Sequence, residues 1–174
     1  IADLRTRELE CAVQHLGVQH LDYLGYRDSG MPGSETSRHP ACLAQANVAE
    51  VAAKIVAEIR CFKPQVIVTF DQFGGYGHPD HIAIHQATVM AFKAAGDPSQ
   101  YPDAGEPYQP QKLYYHSFPK TLLRGMVWVM PLFGKDPSKF GRNGDIDMRE
   151  IASWDVPTTA RIDIRPWYAE RTAA

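Results

Sequence analysis

Gln65-Val66-Ile67-Val68-Thr69-Phe70 runs straight into Asp71-Gln72-Phe73-Gly74-Gly75-Tyr76-Gly77-His78, and then into Pro79-Asp80-His81 at the head of a helical stretch reaching Ala95. The first segment is rich in β-branched residues without clean alternation, the pattern of a strand covered on both faces, and it predicts a central parallel strand. The glycines break regular structure, and Pro79 suits a first helical turn. Strand, glycine-rich loop and helix in that order form the unit of an open α/β sheet. Its ligand crevice lies beyond the carboxyl ends of the strands, where this loop falls.

Working outward, Ala41 to Phe62 carries helical spacing through Val48, Val51, Ile55 and Ile59, after a Ser-, Gly- and Pro-rich loop from Asp28 to Pro40. Further upstream, Arg5 to Leu16 reads as a helix ended by Gly17, and Val18 to Leu24 as a short strand. Downstream, Asp97 to Gln111 holds four prolines and predicts a surface excursion. Lys112 to Phe118 predicts a strand, Leu122 to Leu132 a packed helix or a mobile cover, and Phe140 to Asp147 a turn-rich segment. Thr158 to Ile164 alternates like a strand, and a helix begins at Trp167. Alternating α and β elements predict a Rossmann-like three-layer sandwich with a mainly parallel sheet, in one domain spanning residues 1–174.

The 174 residues carry a formal charge of −2 with no basic stripe, which argues against nucleic acid as a partner. No segment approaches the ~20 apolar residues that span a bilayer, and no basic-then-apolar leader opens the chain, so the expectation is a soluble, cytoplasmic protein without a membrane partner. Cys11, Cys42 and Cys61 sit among apolar neighbours and read as reduced core residues. Met126 to Leu132 suits core, lid or subunit interface alike, which keeps a homo-oligomer open. Leu4, Leu9, Ala12, Val13 and Leu16 form an apolar helical face that needs a partner, so an element is expected ahead of Ile1. The final helix is expected to be clipped at Ala174.

His78, Asp80 and His81 fall within one helical turn, and two imidazoles with a carboxylate at that spacing can serve a metal. A zinc hydrolase needs neutral imidazole or carboxylate ligands, an open position for water, a base and a donor for the developing oxyanion. The loop supplies part of that set. His85, one turn beyond His81, gives an HxxxH spacing, although a histidine satisfied in the core is the commoner outcome. The loop can also be a long βα connection, with His78 capping the helix and Asp80 and His81 solvated. As a metal-free Rossmann-like domain it would hold phosphate on backbone donors, against which stand Asp80 and the lack of Lys or Arg in the loop. A metal-free domain that binds phosphate or sugar without catalysis is a further reading. The agreement of glycines, Tyr76, preceding strand and following helix favours a functional site.

Gly74 to His81, GGYGHPDH, resembles the second motif of the PIG-L/LmbE family, zinc-dependent deacetylases acting on glucosamine-containing substrates. Arg5-Thr6-Arg7-Glu8-Leu9, Tyr26-Arg27-Asp28-Ser29-Gly30-Met31 and Lys63-Pro64-Gln65-Val66-Ile67-Val68-Thr69 follow the family's order. The stretch from Ala95 to Tyr115 resembles its thiol-conjugate amidase and deacetylase branch, and the likeness weakens beyond residue 118. The resemblance implies zinc-dependent removal of an N-acetyl group from a small amino-sugar conjugate. It makes His81 a zinc ligand and His78 a protonated donor facing the amide carbonyl. Asp80 would pair with an imidazole, and Tyr76 would hydrogen-bond the tetrahedral intermediate. Asp28 would bind sugar hydroxyls, and Arg5 or Arg7 would contact substrate. The family's opening His-Pro-Asp-Asp motif, source of two ligands and the general base, does not occur in this sequence. His39-Pro40, followed by Ala41-Cys42, is no substitute. The expectation is that the motif precedes Ile1.

Overall fold

The structure is a computed structural model describing residues 2–117, 120–141 and 144–174. Along the chain run α1 (Ala2–His15), α2 (Val48–Phe62), β1 (Val66–Phe70), a helical turn α3 (Gly74–Gly77) and α4 (Pro79–Ala94). β2 (Lys112–His116), α5 (Lys120–Val129), α6 (Met148–Ser153) and α7 (Tyr168–Ala173) follow. β1 and β2 pair in parallel from Val66 opposite Lys112 to Phe70 opposite His116, with α4 in the crossover. The expected α/β class with a parallel sheet is therefore present, with two strands among the described residues. The chain divides into two compact units, Tyr26–Val156 and a second built from Ile1–Gly25 with Pro157–Ala174, in which α1 and α7 pack together.

In the larger unit, α2 starts where the Asn47 side chain accepts the backbone N–H of Ala49, and it ends at Lys63, left-handed at φ 51°, just before Pro64. Its buried face is Val51, Ala52, Val56 and Ile59, while α4 offers Ala87, Thr88, Ala91 and Ala94. Small side chains on α4 let the two helices approach closely. They pack on each other, and α4 also packs on β1. The loop leaving β1 and the first turn of α4 are thereby held together.

Arg60 closes the same core with a buried charge. Its guanidinium donates to the carbonyls of Ala94, Ala95, Asp97, Gln100, Tyr101 and Gly105 at 2.6–3.4 Å, while only 3% of the residue is exposed. The proline-rich excursion from Asp97 to Gln111 is thus tied to α2 through its own backbone, the guanidinium adding to the carbonyls of Ala94, Ala95, Asp97 and Tyr101, which also accept backbone N–H groups.

Several expectations change. The helix predicted from Ala41 begins at Val48, because Leu43–Gln45 forms a short 3-10 turn and Asn47 is the cap. Val18 to Leu24 and Thr158 to Ile164 alternate in sequence but enter no sheet, since alternation gives a strand its faces and only a paired neighbour gives it a ladder. β1 is not covered on both faces, with Val66 46% and Val68 65% exposed. Cys42 is buried, but Cys11 and Cys61 are exposed; Cys61 turns away from the face that Ile59 and Arg60 define on α2. β2 stops at His116, and Phe118 lies outside the described residues.

The stretch from Leu122 to Leu132 is helical through Val129 and continues as a 3-10 turn, Met130–Phe133. Lys120 Nζ and Arg124 Nε donate to the carbonyls of Ile151 and Ala152, two cations on the last turn of α6. Leu122, Met126, Val129 and Phe133 line an apolar groove of about 490 Å³. Among the described residues no helix is long and apolar enough to cross a membrane.

Arg60→Met keeps the aliphatic bulk and removes every guanidinium hydrogen bond to the carbonyls of the 94–105 segment. It should lower unfolding free energy by on the order of 3 kcal/mol, measured by urea denaturation, because all the hydrogen bonds of one buried charged donor are lost together. A loss below about 1 kcal/mol would mean that the excursion holds its shape without this side chain.

Candidate functional site

The site is built on the loop between β1 and α4. Asp71, the first residue after β1, accepts the backbone N–H groups of Phe73 at 2.9 Å and Gly75 at 3.1 Å through Oδ1. Its own carbonyl accepts the N–H of Gly74 at 2.9 Å. The chain then turns through Gly74 at φ 64° and Gly75 at φ 73°, left-handed values that favour glycine. Gly74 is also constrained by space. A Cβ there would lie 2.9 Å from His81 Cβ and 2.9 Å from Ile82 Cγ1.

That close approach sets the two imidazoles differently. His81 Nδ1 lies 3.1 Å from the Gly74 carbonyl, which can only accept, so the proton sits on Nδ1 and Nε2 keeps its lone pair. The ring stacks on Phe70 with centroids 3.8 Å apart, and burial holds its pKa below the ordinary histidine value, favouring the neutral form. His78 caps α4: its Nδ1 accepts the backbone N–H of Asp80 at 3.2 Å. With Nδ1 occupied as an acceptor, the neutral ring carries its proton on Nε2 and offers a donor. The capping role that the sequence also allowed is therefore present in the structure.

Asp80 hydrogen-bonds Ser29 and stands beside the His78 imidazole. Its carboxylate accepts the Ser29 N–H at 2.9 Å and a short hydrogen bond from the Ser29 hydroxyl. Ser29 is fully buried, accepts the N–H of Ala44 on Oγ at 3.0 Å, and takes the Thr36 hydroxyl on its carbonyl at 3.0 Å. The 28–36 loop is thereby fastened to the first turn of α4. Asp28, exposed, rides on that loop and accepts the N–H of Gly30 at 2.6 Å. One ligand atom each from Asp28, His78 and Asp80 lies within 4.8 Å of the others. The His81 ring is 4.7 Å from that of His78, and Tyr76 stands edge-on to both. Burial, then the charges of Asp28 and Asp145, push the Tyr76 phenol pKa up, so it stays a hydroxyl donor.

Of the residues singled out by sequence, Tyr76, His78, Asp80, His81 and Asp28 converge. His85 turns away, with Nδ1 2.8 Å from the Phe70 carbonyl and its ring against Tyr115. Arg5 belongs to the smaller unit, where it pairs with Glu8 at 2.7 Å. Sequence reasoning missed Ser29 and Asp71. Ser29 carries no spacing signal, since its partner is 51 residues away. Asp71 was findable as a carboxylate at the carboxyl end of a parallel strand.

The donor set suits a metal with mixed nitrogen and oxygen ligands. A neutral imidazole anchored through Nδ1–H to a backbone carbonyl, with Nε2 free, is an arrangement that metal-binding histidines adopt. Two carboxylates beside it provide oxygen donors. A phosphate would instead meet the charges of Asp28 and Asp80 at the start of α4.

Residues 1–92, over half of the chain, match the sequence family described as PIG-L, GlcNAc-PI de-N-acetylase. The chain is 41% identical to a 1D-myo-inositol 2-acetamido-2-deoxy-alpha-D-glucopyranoside deacetylase of Thermobifida fusca (strain YX), over 100% of this chain and 60% of the relative. Proteins of the same description from Geodermatophilus obscurus and Streptomyces scabiei are 37% and 38% identical, each over 98% of this chain and over 59% and 54% of their own lengths. The chain thus spans 54–60% of these relatives.

Gly74→Ala should be costlier than an alanine at another left-handed glycine. Gly33, φ 84° with nothing within 4 Å of an added Cβ, isolates the backbone term. Thermal or urea unfolding should show Gly33→Ala losing about 1 kcal/mol and Gly74→Ala roughly 1–3 kcal/mol more, the excess being overpacking against α4. Equal losses would mean that the loop has room to back away from His81.

Proposed function

The chain belongs to the PIG-L family, and from that membership and the division of labour between its two imidazoles we propose that it serves zinc-dependent hydrolysis of an amide, removing the N-acetyl group from a glucosamine-containing small molecule. The observation that carries the reading is the opposed polarity of His81 and His78: one presents a lone pair on Nε2, its neighbour presents an N–H. A metal site for amide hydrolysis needs one group of each kind within reach of a single carbonyl.

In this proposal His81 ligates zinc through Nε2, and the family's His-Pro-Asp-Asp motif, absent from these 174 residues, supplies the remaining ligands and the base. Zinc held there would supply Lewis-acid polarisation of the amide carbonyl and a lowered pKa for water. The Nε2–H of His78 donates to the carbonyl oxygen as negative charge develops there. The Tyr76 hydroxyl, kept protonated, adds a second donor. Asp80 holds Ser29 and with it the loop that presents Asp28, whose free carboxylate oxygen accepts sugar hydroxyls. Arg5 keeps its proposed role as a substrate contact, and a cytoplasmic location and a homo-oligomer stay compatible with this chemistry.

The test uses the full-length protein, an N-acetylglucosaminyl inositol as substrate and acetate release as readout. Activity should vanish with a chelator and return with zinc. His78→Ala should lower kcat on the order of a hundredfold with KM little changed, because its donor matters most in the transition state. A raised KM with intact kcat would reduce His78 to substrate binding. A separate comparison addresses the sugar. Asp28→Ala should lose more activity on the glucosamine conjugate than on an acetylated simple amine, since a site built for hydroxyls is left unpaired only with the former. Parallel losses would assign Asp28 to its own Gly30 turn.

A further inference from the structure

Asp71 is 2% exposed, it follows the last pair of the β1–β2 ladder, and the proposed reaction gives it nothing to do. Its Oδ1 accepts two backbone N–H groups of the glycine loop, while its Oδ2 is buried with no hydrogen-bond partner among the described residues. A buried carboxylate with an orphan oxygen is expensive. Asparagine has the same shape and would accept both N–H groups through its own Oδ1 without a charge to desolvate. Holding the turn therefore does not account for the charge.

The peptide group between Gly74 and Gly75 does. Its N–H donates to Asp71 Oδ1 at 3.1 Å, and its carbonyl accepts from His81 Nδ1 at 3.1 Å. Among the described residues no peptide bond is cis, so these N–H and C=O groups point in opposite directions, one at the carboxylate and one at the imidazole. An anion on the N–H side polarises the amide and strengthens its carbonyl as an acceptor, and hydrogen bonds in such a chain reinforce each other in a low-dielectric setting. Metal-binding histidines commonly receive this support from a carboxylate in direct contact. Here the peptide stands between the two. The Lys120 amine interacts electrostatically with Asp71, its pKa lowered by burial and raised by the Asp71 charge.

We propose that Asp71 is a positioning residue whose carboxylate, acting through the Gly74–Gly75 peptide, fixes His81 in the Nδ1–H tautomer and leaves Nε2 basic and aimed to ligate. The proposal rests on the reading of His81 as a zinc ligand, and its test separates the two. In metal-free full-length protein, at alkaline pH, nitrogen NMR should show His81 as the Nδ1–H tautomer. Asp71→Asn, which keeps an acceptor oxygen and removes the charge, should move His81 to a mixture of tautomers. The same variant should weaken zinc binding about tenfold or more in chelator competition.

Wild-type His81 in the Nε2–H tautomer would overturn the proposal whether or not any variant folds. An Asn variant with the wild-type tautomer would also overturn it, even if its zinc affinity fell. A tautomer shift with unchanged zinc affinity would uphold the relay and remove the ligand reading. His81→Ala, which should abolish zinc binding, tests that reading on its own. Restored tautomer purity in Asp71→Glu would support the role of charge.

Discussion

No side chain at residue 74 can occupy the space that brings its carbonyl to His81. The loop backbone and the first turns of α4 are in van der Waals contact there, with the chain at a left-handed φ, so a Cβ would meet both His81 and Ile82. Everything distinctive about the site follows from this contact. It fixes which nitrogen of His81 carries the proton. It also places the ring flat on Phe70, the last residue of β1. In addition, it leaves the next residue, Gly75, to turn its N–H back onto Asp71. A looser loop would put the same residues in the same neighbourhood and leave the His81 imidazole free to choose either tautomer.

Around that contact the unit from Tyr26 to Val156 uses polar groups where a larger core would use apolar ones. Ser29 and Asp80 join the 28–36 loop to α4, and Arg60 gathers the 94–105 segment onto α2. Ser29 and Arg60 are buried and hydrogen-bond to backbone groups, which fixes loop geometry more narrowly than apolar packing does. Loops tied in this way can carry catalytic and binding groups without depending on motion to assemble them. Asp28 is the exception, exposed and bonded chiefly within its own turn, as suits a group meant to meet a substrate.

Much of this was legible from local sequence and little of it from long-range logic. The helices over α1, α2 and α4 and the strand β1 follow from periodicity and from Pro64 and Pro79, whose effects act within a few residues. His78, Asp80 and His81 were legible because one helical turn necessarily brings them together. The tautomers were not, since they depend on a backbone carbonyl seven residues back and a capping N–H. Ser29 was invisible in a Ser-rich loop, and Arg60 read as an ordinary helix charge. Val18 to Leu24 and Thr158 to Ile164 were misread because alternation describes a strand's faces and says nothing about a partner. Cys61 was misread because apolar neighbours in sequence do not fix the side of a helix.

The most direct measurement is zinc-edge anomalous diffraction from crystals of the full-length protein grown with zinc. The two histidines and two carboxylates offer two incompatible metal positions: one on His81 Nε2, and one inside the cluster of Asp28, His78 and Asp80. The account predicts an anomalous peak at a zinc–nitrogen distance of about 2.0–2.1 Å from His81 Nε2, with His78 still capping α4 and off the metal. A peak held by His78 together with Asp28 and Asp80, with His81 unbound, would contradict it.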